Sequence, residues 1–432
     1  MIAPPSRTYR AMALGFVLGA LSLLGASRAH AEAQLLIEAA TGKVLQAENA
    51  TYPWYPASVT KLMTAYTTLR SIKDGRISLN TLLTVSRNAA AQQPTKMGFN
   101  VGTTVTVDNA LKMLMVKSAN DIAVTIAEGV GGSIEGFADM MNANARRLGM
   151  SQSNFVNPNG LPAENHVTSA RDLAILARAL IREFPEYDSY WHISSIRYGN
   201  RVMRNYNALI DRYPGADGMK TGFICASGYN VVASATRNGR RLIAVVLGAW
   251  SGAVRAQKAA QLLERGFNNN GLTWLTPSLG TVDALAPIDA QPPNLREEMC
   301  GGHRRKPPSE ENEEEPEDAN TTTASGENNN SQAFMLSSLK PANGKFVLGP
   351  PVETTPPVVV FTGPADHPDT AIQTASAAPK KKKRVAAKTE GADKGAKAAG
   401  ANPGGAKPAE AAKPKTAKPA KNTKPKVSAT TQ

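Results

Sequence analysis

The chain has 432 residues and a formal net charge of +14, unevenly spread: by formal count residues 1–275 carry +11, residues 276–378 carry −9 and residues 379–432 carry +12. After Trp274 there is no Trp or Tyr, and only Phe334, Phe346 and Phe361 remain among the aromatics, so this stretch is excluded as a second ordinary globular domain. Two cysteines, Cys225 and Cys300, are too few for a disulfide scaffold and lack zinc-site spacing, which leaves at most one disulfide. The five histidines show no close ligand spacing either, so neither a metal nor another cofactor is implied.

In chain order, Arg7 and Arg10 precede an apolar run, Ala11 to Ala26, that is shorter than the ~20 residues usually needed to span a bilayer. Ala29-His30-Ala31 supplies small residues at a cleavage point. Residues 1–31 therefore read as a signal peptide cleaved after Ala31, with an uncleaved anchor as the alternative, and the mature protein as exported to the periplasm or cell envelope. Leu35–Ile37 and Val44–Leu45 flank a glycine-containing turn and read as paired strands. Helices are predicted over Ser58–Leu69, with Ser58 near the N-terminus, over Val107–Val116 capped by Thr106, and over Asp121–Glu128. Two more follow, Ile134–Leu148 capped by Ser133 and stopped by Gly149, and Ala170–Ile181 capped by Thr168 or Ser169. Tyr229–Thr236 and Leu242–Trp250 are strands joined through Asn238-Gly239, a strong hairpin signal, and Ala253–Phe267 is a last helix. Strands at both ends with helices between them predict an α+β unit whose N-terminal strands pair with the C-terminal hairpin. Beyond it, Pro307–Asn330 is acidic and Asn/Ser/Thr-rich, Pro350–Pro357 is Pro/Val/Thr-rich, and Lys380–Gln432 is a Lys/Ala/Pro tract.

Three short motifs occur in order: Ser58-Val59-Thr60-Lys61, Ser118-Ala119-Asn120 and Lys220-Thr221-Gly222. Each alone is common, and their combination is not. Positions i and i+3 share a helix face, so Lys61 stands beside the Ser58 hydroxyl. A serine becomes a nucleophile when a neighbouring base takes its proton, and a lysine serves when burial or another cation such as Lys220 lowers its pKa. A backbone N–H left free at the start of a helix, as at Ser58, suits developing negative charge. The structural alternatives are helix capping by Ser58 and Ser118, solvated Lys61 and Lys220, a turn at Asn120 and a plain strand at Thr221. Gly222 reads as allowing close approach of a substrate to the backbone. Cys225 reads as a small buried strand residue rather than a reactive thiol, Glu164 as a surface-loop residue, His166 as solvated, and Met113 and Met115 as helix packing.

The stretch from about Ala33 to Phe267 resembles the D-alanyl-D-alanine carboxypeptidases, the low-molecular-mass penicillin-binding proteins. Beyond the motifs, Tyr55-Pro56-Ala57, Asn159-Gly160-Leu161, Thr168-Ser169-Ala170-Arg171-Asp172 and Asp217-Gly218-Met219 carry the likeness. The resemblance implies a β-lactamase/transpeptidase-like antiparallel sheet flanked by helices. It implies that Ser58 attacks the carbonyl between the terminal D-alanines of a peptidoglycan stem peptide, and that β-lactam antibiotics acylate the same serine. Lys61 is then the base, Ser118 relays a proton to the leaving amine, Asn120 binds the substrate amide, and Lys220 and Thr221 hold the carboxylate. The N–H groups of Ser58 and Phe223 form the oxyanion hole.

The family's middle motif usually has Gly where this chain has Ala119. Many relatives continue into a β-rich domain and an amphipathic anchor, whereas this chain continues into polar sequence. The domain expectation is a signal peptide at 1–31, a catalytic domain at 32–275, a disordered acidic and Pro/Ser/Thr-rich linker at 276–378, and a disordered Lys/Ala/Pro-rich basic tail at 379–432. The tail's charge suits anionic envelope polymers or a solvated tether, and nucleic acid is not expected for an exported protein. A D,D-endopeptidase or β-lactamase using the same serine, and a catalytically idle envelope-binding protein, are the competing readings.

Overall fold

The computed structural model describes residues 32–268, 278–302, 348–349 and 355–366. The expected signal peptide, Pro307–Asn330 and the Lys/Ala/Pro tail lie outside them. Strand β1 (Ala33–Glu38) turns at Gly42 into β2 (Val44–Glu48), as the alternation of apolar residues around Thr41-Gly42 predicts. At the other end of the unit, β7 (Ala216–Ile224), β8 (Gly228–Arg237) and β9 (Arg240–Ala249) form a meander. The β8–β9 turn places Asn238 and Gly239 both at positive φ, 51° and 74°, the conformation for which Asn-Gly is chosen. The chain ends meet because β1 pairs antiparallel with β9, giving one five-stranded sheet in the order β2-β1-β9-β8-β7.

Leu242 through Ala249 is buried without interruption, so both faces of this antiparallel sheet are covered. Between the strand groups run α1 (Lys61–Lys73), β3 (Leu82–Thr84), α2 (Arg87–Ala90), β4 (Thr104–Thr106), α3 (Val107–Val116), α4 (Asn120–Gly131), α5 (Ile134–Leu148) and α6 (Ala170–Glu183). The hairpin β5 (Ser195–Tyr198) and β6 (Arg201–Arg204) precedes β7, and α7 (Gly252–Asn268) follows β9, with Gly266 against Leu36 and Leu242. Side chains cap these helices where the sequence places Ser or Thr: Thr106 Oγ1 accepts from Asn109, Ser133 Oγ from Gly136 and Ser169 Oγ from Asp172. Of the two caps open in the sequence, Ser169 is therefore the one used. Met113 and Met115 are buried, as helix packing requires.

The sequence places the end of the folded unit at residue 275, and the structure moves it. Residues 278–302 lie on the domain: Val282 donates to the Gly42 carbonyl, Leu295 donates to the Ala226 carbonyl, and Val282, Leu295 and Met299 are buried. A short helix, α8 (Arg296–Cys300), ends in a disulfide between Cys300 and Cys225. Residues 355–366 pack as well, with β10 (Val358–Val359) adding parallel to β5 and Val360 fully buried. The correction has a simple cause: a few apolar anchors suffice when a finished core offers them grooves and a covalent tie limits their freedom.

Candidate active site

Ser58 sits in a 3-10 turn, Ala57–Thr60, and not in the α-helix itself, which begins at Lys61. Ala57 takes φ 50°, a conformation rare for a side-chain-bearing residue and typical of a site where the surroundings hold the backbone in place. Ser58 and Lys61 remain neighbours across the junction. Lys61 is fully buried, and its Nζ donates to Ser58 Oγ at 2.9 Å, to Asn120 Oδ1 at 2.8 Å and to the Asn159 carbonyl at 2.7 Å. These bonds bring together the first two motifs and the Asn159-Gly160-Leu161 segment.

Ser118 stands just before α4 at φ 58°, its carbonyl accepting from Thr95 Oγ1 at 2.8 Å. Its hydroxyl is buried and has no hydrogen-bond partner among the described residues, and the Thr221 hydroxyl is in the same state. Asn120 is fixed from both ends, its Nδ2 donating to the Gln93 carbonyl while its Oδ1 receives Lys61. The Gln93–Phe99 loop is in turn held by Asp121, whose carboxylate accepts from the N–H groups of Met97 and Gly98. Lys220 is buried on β7, with Nζ donating to the Thr221 carbonyl at 3.0 Å.

Gly222 joins the third motif to the first. A Cβ at this position would lie 2.6 Å from the Ser58 nitrogen and 2.8 Å from that of Val59. The glycine therefore lets β7 approach the serine turn. Phe223 follows, its side chain stacked on Tyr229 with ring centroids 4.2 Å apart, so only its backbone faces the serine turn's side of the strand. The turn is clamped against the sheet by Asn230, which donates to the carbonyls of Tyr55 and Pro56 and accepts from the Gly248 N–H. Asn230 is a support that lies outside the motifs, for which an Asn in the apolar strand Tyr229–Thr236 was the available signal; Asn159 stands in a stretch that carries the family likeness, but neither it nor Asp121 has a role assigned from the sequence.

Two neighbours differ from expectation. His166 is buried rather than solvated: Nε2 lies 2.9 Å from Thr60 Oγ1, and Nδ1 accepts from the Val156 N–H. Burial drives its pKa down from 6.5 to about 4, so it is a neutral brace for the serine turn. Cys225 is neither in a strand nor free, because it lies in the turn after β7 and pairs with Cys300. Glu164 is exposed on its loop, as predicted.

With these elements assembled, the comparison with known proteins is specific. The family described as D-alanyl-D-alanine carboxypeptidase, peptidase S11, matches residues 23–251, more than half of the chain, and the chain belongs to that family. The D-alanyl-D-alanine carboxypeptidase DacC of Escherichia coli is 37% identical over 248 residues, 55% of this chain and 61% of DacC. DacF of Bacillus subtilis is 35% identical over 245 residues, covering 55% and 62% of the two chains. The chain thus spans about three fifths of the length of these curated relatives. Among solved structures, penicillin binding protein 6B from Escherichia coli superposes with a TM-score of 0.53 at 36% identity, over 56% of this chain and 78% of that one. Penicillin-Binding Protein D2 from Listeria monocytogenes in its cefotaxime-bound form gives 0.50 at 28% identity, over 55% and 96%. The penicillin-binding fold that the family resemblance implied is the fold observed.

Proposed function

We propose that the protein is an exported serine-type D-Ala-D-Ala carboxypeptidase that removes the terminal D-alanine from peptidoglycan stem peptides. The observation that carries this is the Lys61 side chain, buried, bonded to Ser58 Oγ and directed by two acceptors, Asn120 Oδ1 and the Asn159 carbonyl. Those two acceptors take hydrogens from the amine. In the amine's neutral form the two remaining hydrogens stay on those acceptors and the lone pair replaces the N–H directed at Ser58 Oγ, ready to take its proton.

In this reading Ser58 Oγ loses its proton to Lys61 Nζ and attacks the carbonyl between the two D-alanines. The oxyanion accepts from the N–H groups of Ser58, on the serine turn, and Phe223, on β7, two segments that Gly222 lets approach each other. The substrate's terminal carboxylate lies with Lys220 and Thr221, and Asn120 binds the amide before the scissile bond. Ser118, its hydroxyl unpaired among the described residues, passes the proton to the departing nitrogen as the C–N bond breaks. D-alanine leaves, and water then hydrolyses the Ser58 ester. A β-lactam opens on the same serine, in keeping with the cefotaxime-bound relative.

The domain organisation belongs to the same proposal: cleavage after Ala31, a catalytic unit beginning at Glu32, and a basic segment, 379–432, that associates with anionic envelope polymers through unspecific charge attraction. The test incubates purified mature protein with a stem pentapeptide and, side by side, a cross-linked stem dimer, identifying products by mass. Release of one D-alanine from the pentapeptide, with penicillin attached at Ser58, is the expected result. Cleavage of the dimer alone would replace it with the endopeptidase reading, rapid turnover of penicillin with the β-lactamase reading, and no release with no label would overturn it.

A further inference from the structure

Residues 355–366 lie between two parts of the domain that both lead to the second motif. On one side, Val358 and Val359 pair with β5, and the Val360 N–H donates to the Arg197 carbonyl at 2.9 Å. On the other, the Phe361 N–H donates to Asn109 Oδ1 at 3.3 Å and the Gly363 N–H to the Thr104 carbonyl at 2.8 Å, where Gly363 bridges Val105. The segment thus bonds first to β5 and then to the β4–α3 junction, with Val360 fully buried and Thr362 nearly so. Asn109 is itself buried in the first turn of α3, its Nδ2 donating to the capping hydroxyl of Thr106 at 2.8 Å. Residues 355–366 therefore pin β5 to the start of α3.

Both pinned elements converge on Ser118. Helix α3 ends at Val116, the Lys117 N–H bonds back to the Met113 carbonyl, and Ser118 is the next residue. Strand β5 ends at Tyr198, whose ring meets Phe99 edge-on with centroids 5.2 Å apart. Phe99 closes the loop from Gln93, in which the Thr95 hydroxyl holds the Ser118 carbonyl and the Thr95 carbonyl takes the Asn120 N–H at 2.7 Å. Strand β6 leads to Tyr206, whose hydroxyl accepts from Lys117 Nζ at 3.0 Å. Ser118 holds φ 58°, a conformation that persists in a side-chain-bearing residue only where the surroundings impose it. Its hydroxyl has no hydrogen bond among the described residues to aim it, so its direction depends on the backbone that carries it. We infer that residues 355–366 are a positioning clamp for Ser118. By fixing α3 against β5 they keep the hydroxyl where, in the proposed carboxypeptidase chemistry on which this inference rests, it hands a proton to the departing nitrogen. A misplacement of about 1 Å at such a group costs up to about 10²-fold in rate. The Ser58–Lys61 bond spans one turn and does not run through the clamp.

Two substrates isolate the proton that Ser118 supplies. One is a stem pentapeptide; in the other the terminal D-alanine is replaced by the matching 2-sulfanyl acid, so that a thioester is cleaved and the thiolate departs without taking a proton. Both leave the same Ser58 ester, so the ratio of their kcat/KM values reads acylation and its need for a proton donor. In the full-length protein, Val360→Ala thins the buried anchor and Phe361→Pro removes the N–H given to Asn109. Each is expected to lower kcat/KM for the peptide by about tenfold and for the thioester by less than about twofold. Phe361→Leu, which keeps the N–H, retains the wild-type ratio. Cys225→Ser/Cys300→Ser, which weakens the fold elsewhere, lowers the thermal midpoint and leaves the ratio unchanged. In a Ser118→Ala background the clamp substitutions change the ratio no further, because they act through that hydroxyl. Val360→Ala, the milder change, decides the outcome where Phe361→Pro does not fold. An unchanged ratio, an equal fall on both substrates, or a further fall in the Ser118→Ala background overturns the clamp and leaves the carboxypeptidase standing. No release from either substrate by the wild type, with no penicillin label on Ser58, removes the carboxypeptidase reading and this one together.

Discussion

Replacing Ser58 by Ala removes the nucleophile and one hydroxyl that Lys61 bonds, so D-alanine release and penicillin labelling are expected to disappear with little change in thermal midpoint. Lys61→Ala differs in kind. It lowers the acylation rate by about 10²–10⁴-fold, the usual worth of a general base, and it also strands the buried Asn120 and Asn159 oxygens, at about 1–3 kcal/mol of stability for each left unsatisfied. Stopped-flow acylation and a denaturant titration separate the two effects. His166 supplies a pH prediction. Its folded pKa, about 4, lies below the ordinary 6.5, so between these values the unfolded chain binds the extra proton. Stability is full above pH 6.5 and declines as pH falls towards 4, by on the order of 3 kcal/mol. A His166→Gln variant measured over the same range should show a flatter curve. Motif spacing reveals Ser58, Lys61, Ser118, Asn120 and Lys220, whereas burial of His166 is invisible to it, since its partners Thr60 and Val156 are set by folding of the loop.

Between elements, the decisive contact is β7 on the serine turn. Gly222→Ala drives a methyl group against the Ser58 and Val59 nitrogens, which the packed turn relieves only by moving away. Overpacking of this kind costs about 1–3 kcal/mol. Because the shift displaces Ser58 from Phe223, acylation by penicillin should fall more than the thermal midpoint implies; an unchanged acylation rate would count against the apposition. Asn230→Ala acts on the same contact from β8, leaving the Tyr55 and Pro56 carbonyls and the Gly248 N–H without that partner. Periodicity and caps made most helices and the β8–β9 hairpin readable, because Ser133, Ser169, Gly149 and Asn238-Gly239 act within a few residues of themselves. The hairpin β5–β6, the short β3–β4 pair and the 3-10 character of Ala57–Thr60 escaped, because their conformations answer to distant partners such as β10 on β5.

At the scale of the molecule, the strap of residues 278–302 with its disulfide, together with residues 355–366, carries the packed unit past residue 275. The Cys225–Cys300 tie closes a 75-residue separation, for which loop entropy gives about 4 kcal/mol of stabilisation. A Cys225→Ser/Cys300→Ser variant should therefore unfold at a lower temperature, and hydrogen exchange should show residues 278–302 losing protection first. By contrast, ending the chain after residue 378 should leave the proposed D-alanine release unaltered, since every side chain in the proposed chemistry lies before Phe223; a fall in rate on soluble stem peptide would show otherwise. Composition alone determined that much of the net positive charge belongs to residues 379–432, and three ordered motifs pointed to the proposed chemistry, because Ser58 and Lys61 stand three residues apart, one helical turn, so local backbone geometry is enough to make them neighbours. Tertiary structure decided the rest: the extension of the domain to its strap, the pairing of the two cysteines, and the closing of Lys220-Thr221-Gly222 onto Ser58. Those depend on residues more than 70 positions apart meeting on one core, and no local pattern encodes where such segments dock.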